Sequence, residues 1–230
     1  MLKPVVICHQ LRSSENLAAV ARVMANFDCG ELILSDPQTH EFRAAGRMAV
    51  KAEPVLDALA VTRTLDEALS GVVYAVGSTS RSQLKRFTAL SPEQAVERLA
   101  AHAARGRVAL VLGGEKRGLS DDELSLCHDV LVIPTGEAQP SMNLSHAAAV
   151  LLYLCARQPT PPPAPAPGAP LKLMHRLEDK LREALLAAQF LNPQAPEHVL
   201  RELSRALVRG GISEREAQVW LAALTHLARR

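Results

Sequence analysis

The hydrophobic positions fall into two regimes. Up to about Tyr153, short unbroken apolar runs alternate with segments in which apolar residues recur every three or four positions. Pro4 to Cys8, Glu31 to Leu34, Val72 to Val76, Val108 to Leu112 and Val130 to Ile133 have strand length and little polar alternation, which predicts strands covered on both faces. Between them, Leu17, Val20, Met24 and Phe27 form a helical stripe, with caps available among Ser13 to Asn16 and a stop at Gly30. Phe42 to Ala49 reads as a helix broken at Gly46. Thr64 caps Leu65 to Leu69. Ser91-Pro92-Glu93-Gln94 supplies a cap, a proline at the first helical position and a capping-box glutamine for a helix reaching about Ala104. Strand, helix, strand alternation of this kind predicts a parallel α/β sheet flanked by helices.

The second regime begins after a break. Residues 158–170 read QPTPPPAPAPGAP, uncharged and holding seven of the fifteen prolines, a stiff linker that spans up to about 35 Å. Beyond it, Leu173, Leu177, Leu181 and Leu185 recur at four-residue steps, as do Val199, Leu203 and Leu207 before Gly210-Gly211. Ser213 and Glu216 make a capping box for a third helix with Ala217, Trp220, Leu224 and Leu227 on one side, so Trp220 is expected in the core of a small all-α bundle. The organisation read from the sequence is therefore a domain over 1–157, a linker over 158–170 and a helical extension over 171–230.

Composition narrows the class. Hydrophobic residues make up 48% of 230, enough for a buried core. No apolar segment reaches the roughly 20 residues of a membrane span, and the first residues lack a signal-peptide layout. Cys8, Cys29, Cys127 and Cys155 show no C-x-x-C spacing and the eight histidines no H-x-x-x-H pair, so neither a metal site nor a disulfide framework is expected, and a cytoplasmic location fits. Net charge is only +2, but its distribution is uneven. Residues 1–158 hold 16 Lys and Arg against 17 Asp and Glu, and residues 171–230 hold 10 against 7. The positive excess lies in the extension, where Arg201, Arg205 and Arg209 recur every four residues as one basic stripe, either solvated or in contact with RNA phosphates.

Candidate chemistry gathers in three loops that follow strands. Gly77 to Ser82 offers hydroxyls and free N–H groups where parallel sheets bind ligands. Gly113-Gly114-Glu115-Lys116-Arg117-Gly118-Leu119 lets the backbone turn tightly and approach a ligand. It lacks the glycine spacing of a dinucleotide site and the Lys-Ser/Thr of a P-loop, and its carboxylate, read as buried, suits hydrogen-bond donors better than a polyphosphate. Pro140-Ser141-Met142-Asn143-Leu144-Ser145 runs into an alanine-rich helix, where Ser141 or Asn143 serves either as an N-cap or as part of a site.

The segments Gly113 to Leu119 and Pro140 to Ser145 resemble the second and third motifs of the SPOUT (SpoU-type) RNA ribose 2′-O-methyltransferases, and Asn16 to Arg22 resembles the first, with Ala18 where that family usually has glycine. The extension resembles that of the TrmJ branch, so the likeness covers nearly the whole chain. It implies a SPOUT trefoil-knotted parallel sheet, a homodimer and S-adenosylmethionine as methyl donor, without metal. It assigns the cofactor to Ser78, Thr79, Ser80, Gly113, Gly114, Glu115, Gly118, Ile133, Pro140, Ser141 and Met142. It gives catalysis to Arg22, Asn16, Ser141 and Asn143, with Arg22 acting on the partner subunit's cofactor and touching RNA. Asn16 would hold substrate or Arg22 itself. The implied substrate is tRNA at the first nucleotide of the anticodon loop; ribosomal RNA, or RNA binding without catalysis, are the alternatives.

Overall fold

The computed structural model describes residues 1–39, 42–81, 84, 86–159, 168–192 and 197–227. Among these the chain forms β1 (Val5–His9), α1 (Ser14–Asn26), β2 (Leu32–Ser35), α2 (Phe42–Met48), α3 (Glu53–Asp57), β3 (Ala60–Thr62), α4 (Leu65–Leu69), β4 (Val72–Ser78), β5 (Ala89–Leu90), α5 (Pro92–Ala103), β6 (Arg107–Gly113), α6 (Asp121–Ser125), β7 (Asp129–Leu131) and α7 (Leu144–Arg157). The extension adds α8 (Leu171–Ala187), α9 (Glu197–Arg209) and α10 (Glu214–Leu227).

The seven strands make one parallel sheet in the order β3-β2-β1-β6-β4-β7-β5. Alternate residues of each strand feed two apolar layers. Val6, Cys8, Leu110 and Leu112 face α1, α5 and α7, while Ile7, Ala75, Ala109 and Val111 face α4, α6 and the start of α8. All strands point one way, so the loops after β1, β4, β6 and β7 open along a single edge, the edge at which such sheets bind ligands.

Capping chemistry places the helices as the sequence predicts. Ser13, Thr64 and Ser91 accept hydrogen bonds from Asn16, Glu67 and Gln94, and Gln94 completes its capping box. Ser120 and Glu123 form a further box, a signal not read in the sequence, and it opens the short α6. The expected break at Gly46 is absent: α2 runs through it, because an isolated glycine in a helix costs only about 1 kcal/mol and nothing there forces a turn. The three-residue β3 and two-residue β5 were also not foreseen, being too short to carry a period.

The extension differs most from expectation. Most of the proline-rich segment lies outside the described residues. Where the chain resumes it is already against the sheet domain: the Gly168 N–H donates to the Arg105 carbonyl at 2.8 Å, and Leu171, 2% exposed, belongs to the sheet's second apolar layer. His175 then pairs with Asp66 at 3.2 Å. Within the bundle α10 meets α8 through Ala217, Leu221 and Leu224, which puts Trp220 off the seam and 49% exposed, not in the core. Leu227, Val199 and Leu203 are likewise exposed, while Leu200 is buried, so the buried side of α9 is turned by about one residue from the stripe read in the sequence.

Candidate active site

The loop after β6 closes on itself. Gly114 and Gly118 pair across it, with the Gly118 N–H donating to the Gly114 carbonyl at 2.9 Å, and Gly118 has the left-handed φ of +67° that L-residues with side chains rarely adopt. A Cβ on Gly113 would stand 2.3 Å from the Gly118 carbonyl carbon, and one on Gly114 would stand 2.3 Å from the Gln10 carbonyl oxygen. Close approach is therefore demanded at these two positions by backbone. The sequence reading had reserved that room for a ligand.

This packing presents Glu115 to the loop after β1. Its carboxylate accepts from the Arg12 N–H at 3.0 Å, the Ser13 N–H at 3.1 Å and the Asn16 side-chain amide at 2.9 Å. Glu115 is exposed rather than buried as read from the sequence, since it lies at the rim of the loop. Desolvation raises its pKa, and the donors of Asn16 and the backbone outweigh that, holding the carboxyl below its ordinary 4.5. Asn16 in turn accepts from the Asn143 amide at 3.0 Å. Asn143 caps α7, its Oδ1 accepting from the N–H and hydroxyl of Ser145 at 2.8 and 2.7 Å. One hydrogen-bonded chain, Glu115–Asn16–Asn143, thus joins all three motif segments. Asn143, not Ser141, caps the helix, and it also belongs to this chain.

Glu115→Gln replaces an acceptor by a donor facing three donors, and is expected to cost about 1 kcal/mol, or about 2–4 °C in Tm. The folded pKa lies below the unfolded one, so the unfolded chain binds more protons as pH falls. The clamp's contribution is complete above 4.5 and is lost as pH drops through the lowered value. Melting curves at decreasing pH check this: wild type should lose stability faster than the variant below 4.5, and parallel curves would mean that the clamp contributes nothing.

Beside this chain opens a solvent-facing cleft. Every residue assigned to the cofactor from sequence, from Ser78, Thr79 and Ser80 through Gly113, Gly114, Glu115 and Gly118 to Ile133, Pro140, Ser141 and Met142, lines it. Leu112, Thr135, Leu144 and Ala147 also line it and were missed; the three apolar ones are indistinguishable in sequence from core, and Thr135 sits in a loop with no motif. Asn16, Asn143 and Arg22 do not line it. Arg22 is exposed on α1, with no hydrogen bond or ion pair among the described residues. Ala18, at the family's usual glycine, is 2% exposed and packs in the layer shared with α7, so its methyl group faces core.

The walls are braced from behind. His9 bonds Ser35 through Nδ1 and Glu123 through Nε2, both at 3.1 Å, and Arg117 ties Glu123 (2.8 Å) to Gln10 (3.1 Å). Desolvation raises the Glu123 pKa, but its hydrogen bonds from Ser120 and His9 leave it lowered. Of the basic stripe, Arg201 donates to the Arg86 carbonyl and lies over the Phe87 ring, Arg205 is half-buried, and the Arg209 side chain lies outside the described residues. Among the described residues no cluster of His, Cys, Asp and Glu could hold a metal ion, and no helix is long and apolar enough to cross a membrane. The four cysteines are free and buried; burial pushes Cys8 and Cys127 up to about 12.

Residues 3–153 match the SpoU rRNA Methylase family. The chain is 32% identical over 213 residues to the tRNA (cytidine/uridine-2′-O-)-methyltransferase TrmJ of Klebsiella pneumoniae, covering 89% of this chain and 87% of the relative. It is 30% identical to the tRNA (cytidine/uridine/adenosine-2′-O-)-methyltransferase TrmJ of Pseudomonas aeruginosa, covering 91% and 88%. The crystal structure of TrmJ from Z. mobilis ZM4 superposes with a TM-score of 0.79 at 24% identity over 97% of this chain and 98% of that one, which fixes the likeness of fold including the extension. With a family match over residues 3–153 and relatives of 30% identity or more over about nine-tenths of its length, the chain belongs to the SpoU methylase family.

Proposed function

We propose that the chain is an S-adenosylmethionine-dependent tRNA 2′-O-methyltransferase of the TrmJ type, working as a homodimer on the first nucleotide of the anticodon loop. The observation that carries this is the convergence of three sequence-distant loops on one cleft, next to the Glu115–Asn16–Asn143 chain. Leu112, Ile133, Met142 and Leu144 suit a purine face and a thioether chain, and Ser78, Thr79, Ser80, Thr135 and Ser141 offer hydroxyls for ribose and charged ends. Bound S-adenosylmethionine supplies an electrophilic methyl group on a sulfonium. What remains for the protein is to orient and polarise a ribose 2′-hydroxyl, the group that distinguishes RNA from DNA. Arg22 suits that task as a charge and a donor fork; with a pKa above 12 it is a poor base. Since Arg22 is exposed and absent from its own chain's cleft, the reading has it serve the partner's cleft across a dimer. The same reading includes the trefoil knot, a sheet domain over 1–157 and an RNA-contacting extension over 171–230, with Arg205 and Arg209 as phosphate contacts.

Transfer RNA is favoured over ribosomal RNA by coverage. The family match stops at residue 153, whereas the tRNA-modifying relatives align over about nine-tenths of this chain, extension included. Mass mapping of 2′-O-methyl marks in a strain lacking the gene should show loss at the anticodon loop. Calorimetry should show binding of S-adenosylhomocysteine by the protein alone. A missing mark in ribosomal RNA with tRNA intact would move the substrate, and full methylation with tight RNA binding would make the protein a non-catalytic binder.

A further inference from the structure

The segment between β4 and β5 is fastened at both ends by arginines. Its first residues, Ser78 to Ser80, line the cleft, and the Thr79 N–H donates to the Leu131 carbonyl at 3.0 Å. Arg81 secures this end, reaching Asp121 at 2.5 Å and donating to the Leu119 carbonyl at 3.0 Å. At the other end stand Arg86 and Phe87. Phe87 packs against the apolar layer containing Leu119 and Leu124, which follow the glycine loop. Arg201, from α9 of the extension, donates to the Arg86 carbonyl and places its guanidinium 4.9 Å from the Phe87 ring centroid. A guanidinium can satisfy both at once, because its plane covers the ring while its edge donates.

We propose that Arg201 is a positioning residue for the cofactor cleft, acting through Phe87 and the apolar layer that holds Leu119, next to Gly118 of the cleft wall, so that docking of the extension and binding of the cofactor are coupled. The identity of the cofactor rests on the function proposed above; the mechanical link does not. Arg201 is thereby committed to the chain's own loop, and RNA contact by the stripe is left to Arg205 and Arg209. The coupling also makes the extension part of the methyl donor's site, although the cleft-lining residues all precede residue 148.

The test compares Arg201→Ala, Phe87→Leu and the double variant without RNA. Phe87→Leu keeps the apolar packing and removes the ring face. Arg201→Ala removes the bond to the Arg86 carbonyl and the ring contact together and is expected to weaken S-adenosylhomocysteine binding about fivefold; Phe87→Leu removes the ring contact alone and should weaken it less, and the double variant should match Arg201→Ala. In turnover the KM for S-adenosylmethionine should rise while kcat at saturating cofactor holds, a split that general destabilisation would not give. Tryptic cleavage after Arg86 should quicken in both single variants with no cofactor present. Unchanged affinity in Arg201→Ala, multiplied effects in the double variant, or unchanged cleavage would each overturn the inference. Failure of the wild-type protein to bind S-adenosylhomocysteine would instead strike the proposed function, and the cleavage rates would still decide the link between Arg201 and the loop.

Discussion

Arg22→Ala is expected to lower methyl transfer to tRNA about a thousandfold while leaving affinity for S-adenosylhomocysteine within about twofold of wild type. The separation follows from position. Arg22 lies on the exposed side of α1 and is not among the cleft residues of its own chain, so removing it takes nothing from the cofactor's walls. On the proposed function, what it removes is the charge that would meet the developing oxyanion and the neighbouring phosphate, an interaction stronger in the transition state than in the ground state. Arg22→Lys should recover little, because a compact ammonium cannot reproduce the guanidinium fork. A mixed dimer of an Arg22→Ala subunit and a cofactor-blind subunit should regain one working site if Arg22 acts across the interface. Single-turnover rates together with calorimetry read both quantities, and near-normal turnover in Arg22→Ala would return the residue to the solvated surface.

The second large effect is expected at Gly114. Gly114→Ala brings a methyl group to within 2.3 Å of the Gln10 carbonyl oxygen, and a backbone oxygen cannot swing aside as a side chain would. The loop after β1 has to retreat, taking with it the Arg12 and Ser13 N–H groups that Glu115 holds and the start of α1 with Asn16. Binding of S-adenosylhomocysteine should fall by more than about a hundredfold, with the sheet intact by circular dichroism. Gly118→Ala is the informative contrast. A Cβ there meets nothing within 4 Å, so the cost is the left-handed φ alone, about 1–2 kcal/mol, and a weaker but measurable cofactor affinity should survive. Equal loss in both variants would show that the collision at Gln10 is not what matters.

The strands that build the core were legible because each is an unbroken apolar run covered on both faces, and four of the helices because Ser13, Thr64, Ser91 and Ser213 cap where their residue types predict. The cleft was legible for a different reason. Glycine, hydroxyl and proline residues after strands are the ordinary material of turns, and it was the family likeness that tied these clusters together. The connection among them was not legible. That Asn16 bridges Glu115 and Asn143 depends on β1 and β6 being adjacent, and nothing local in either strand announces the partner. The same blindness explains Trp220. A helix with apolar residues on more than one side offers two candidate seams, and the choice of Ala217, Leu221 and Leu224 is made by α8. Arg201 stood for RNA contact in the sequence because periodicity reports a stripe but not whether another part of the chain already covers it.

The sheet order has a consequence for how the chain is born. β1 is synthesised first, yet it lies between β2 and β6, and β6 begins about a hundred residues later in the chain. At ribosomal rates of about 5–20 residues per second, β1 waits roughly 5–20 s with a bare edge of unpaired backbone N–H and C=O groups before the strand that covers it emerges. β4 is made in that interval and is the neighbour of β6 on its other side, so a premature β1–β4 pairing is the natural misfold, one that insertion of β6 must prevent or undo. The hydrogen bonds of Asn16 span 99 and 127 positions of sequence, so they close only after that insertion, and the edge that carries the cleft is the last part of the domain to exist.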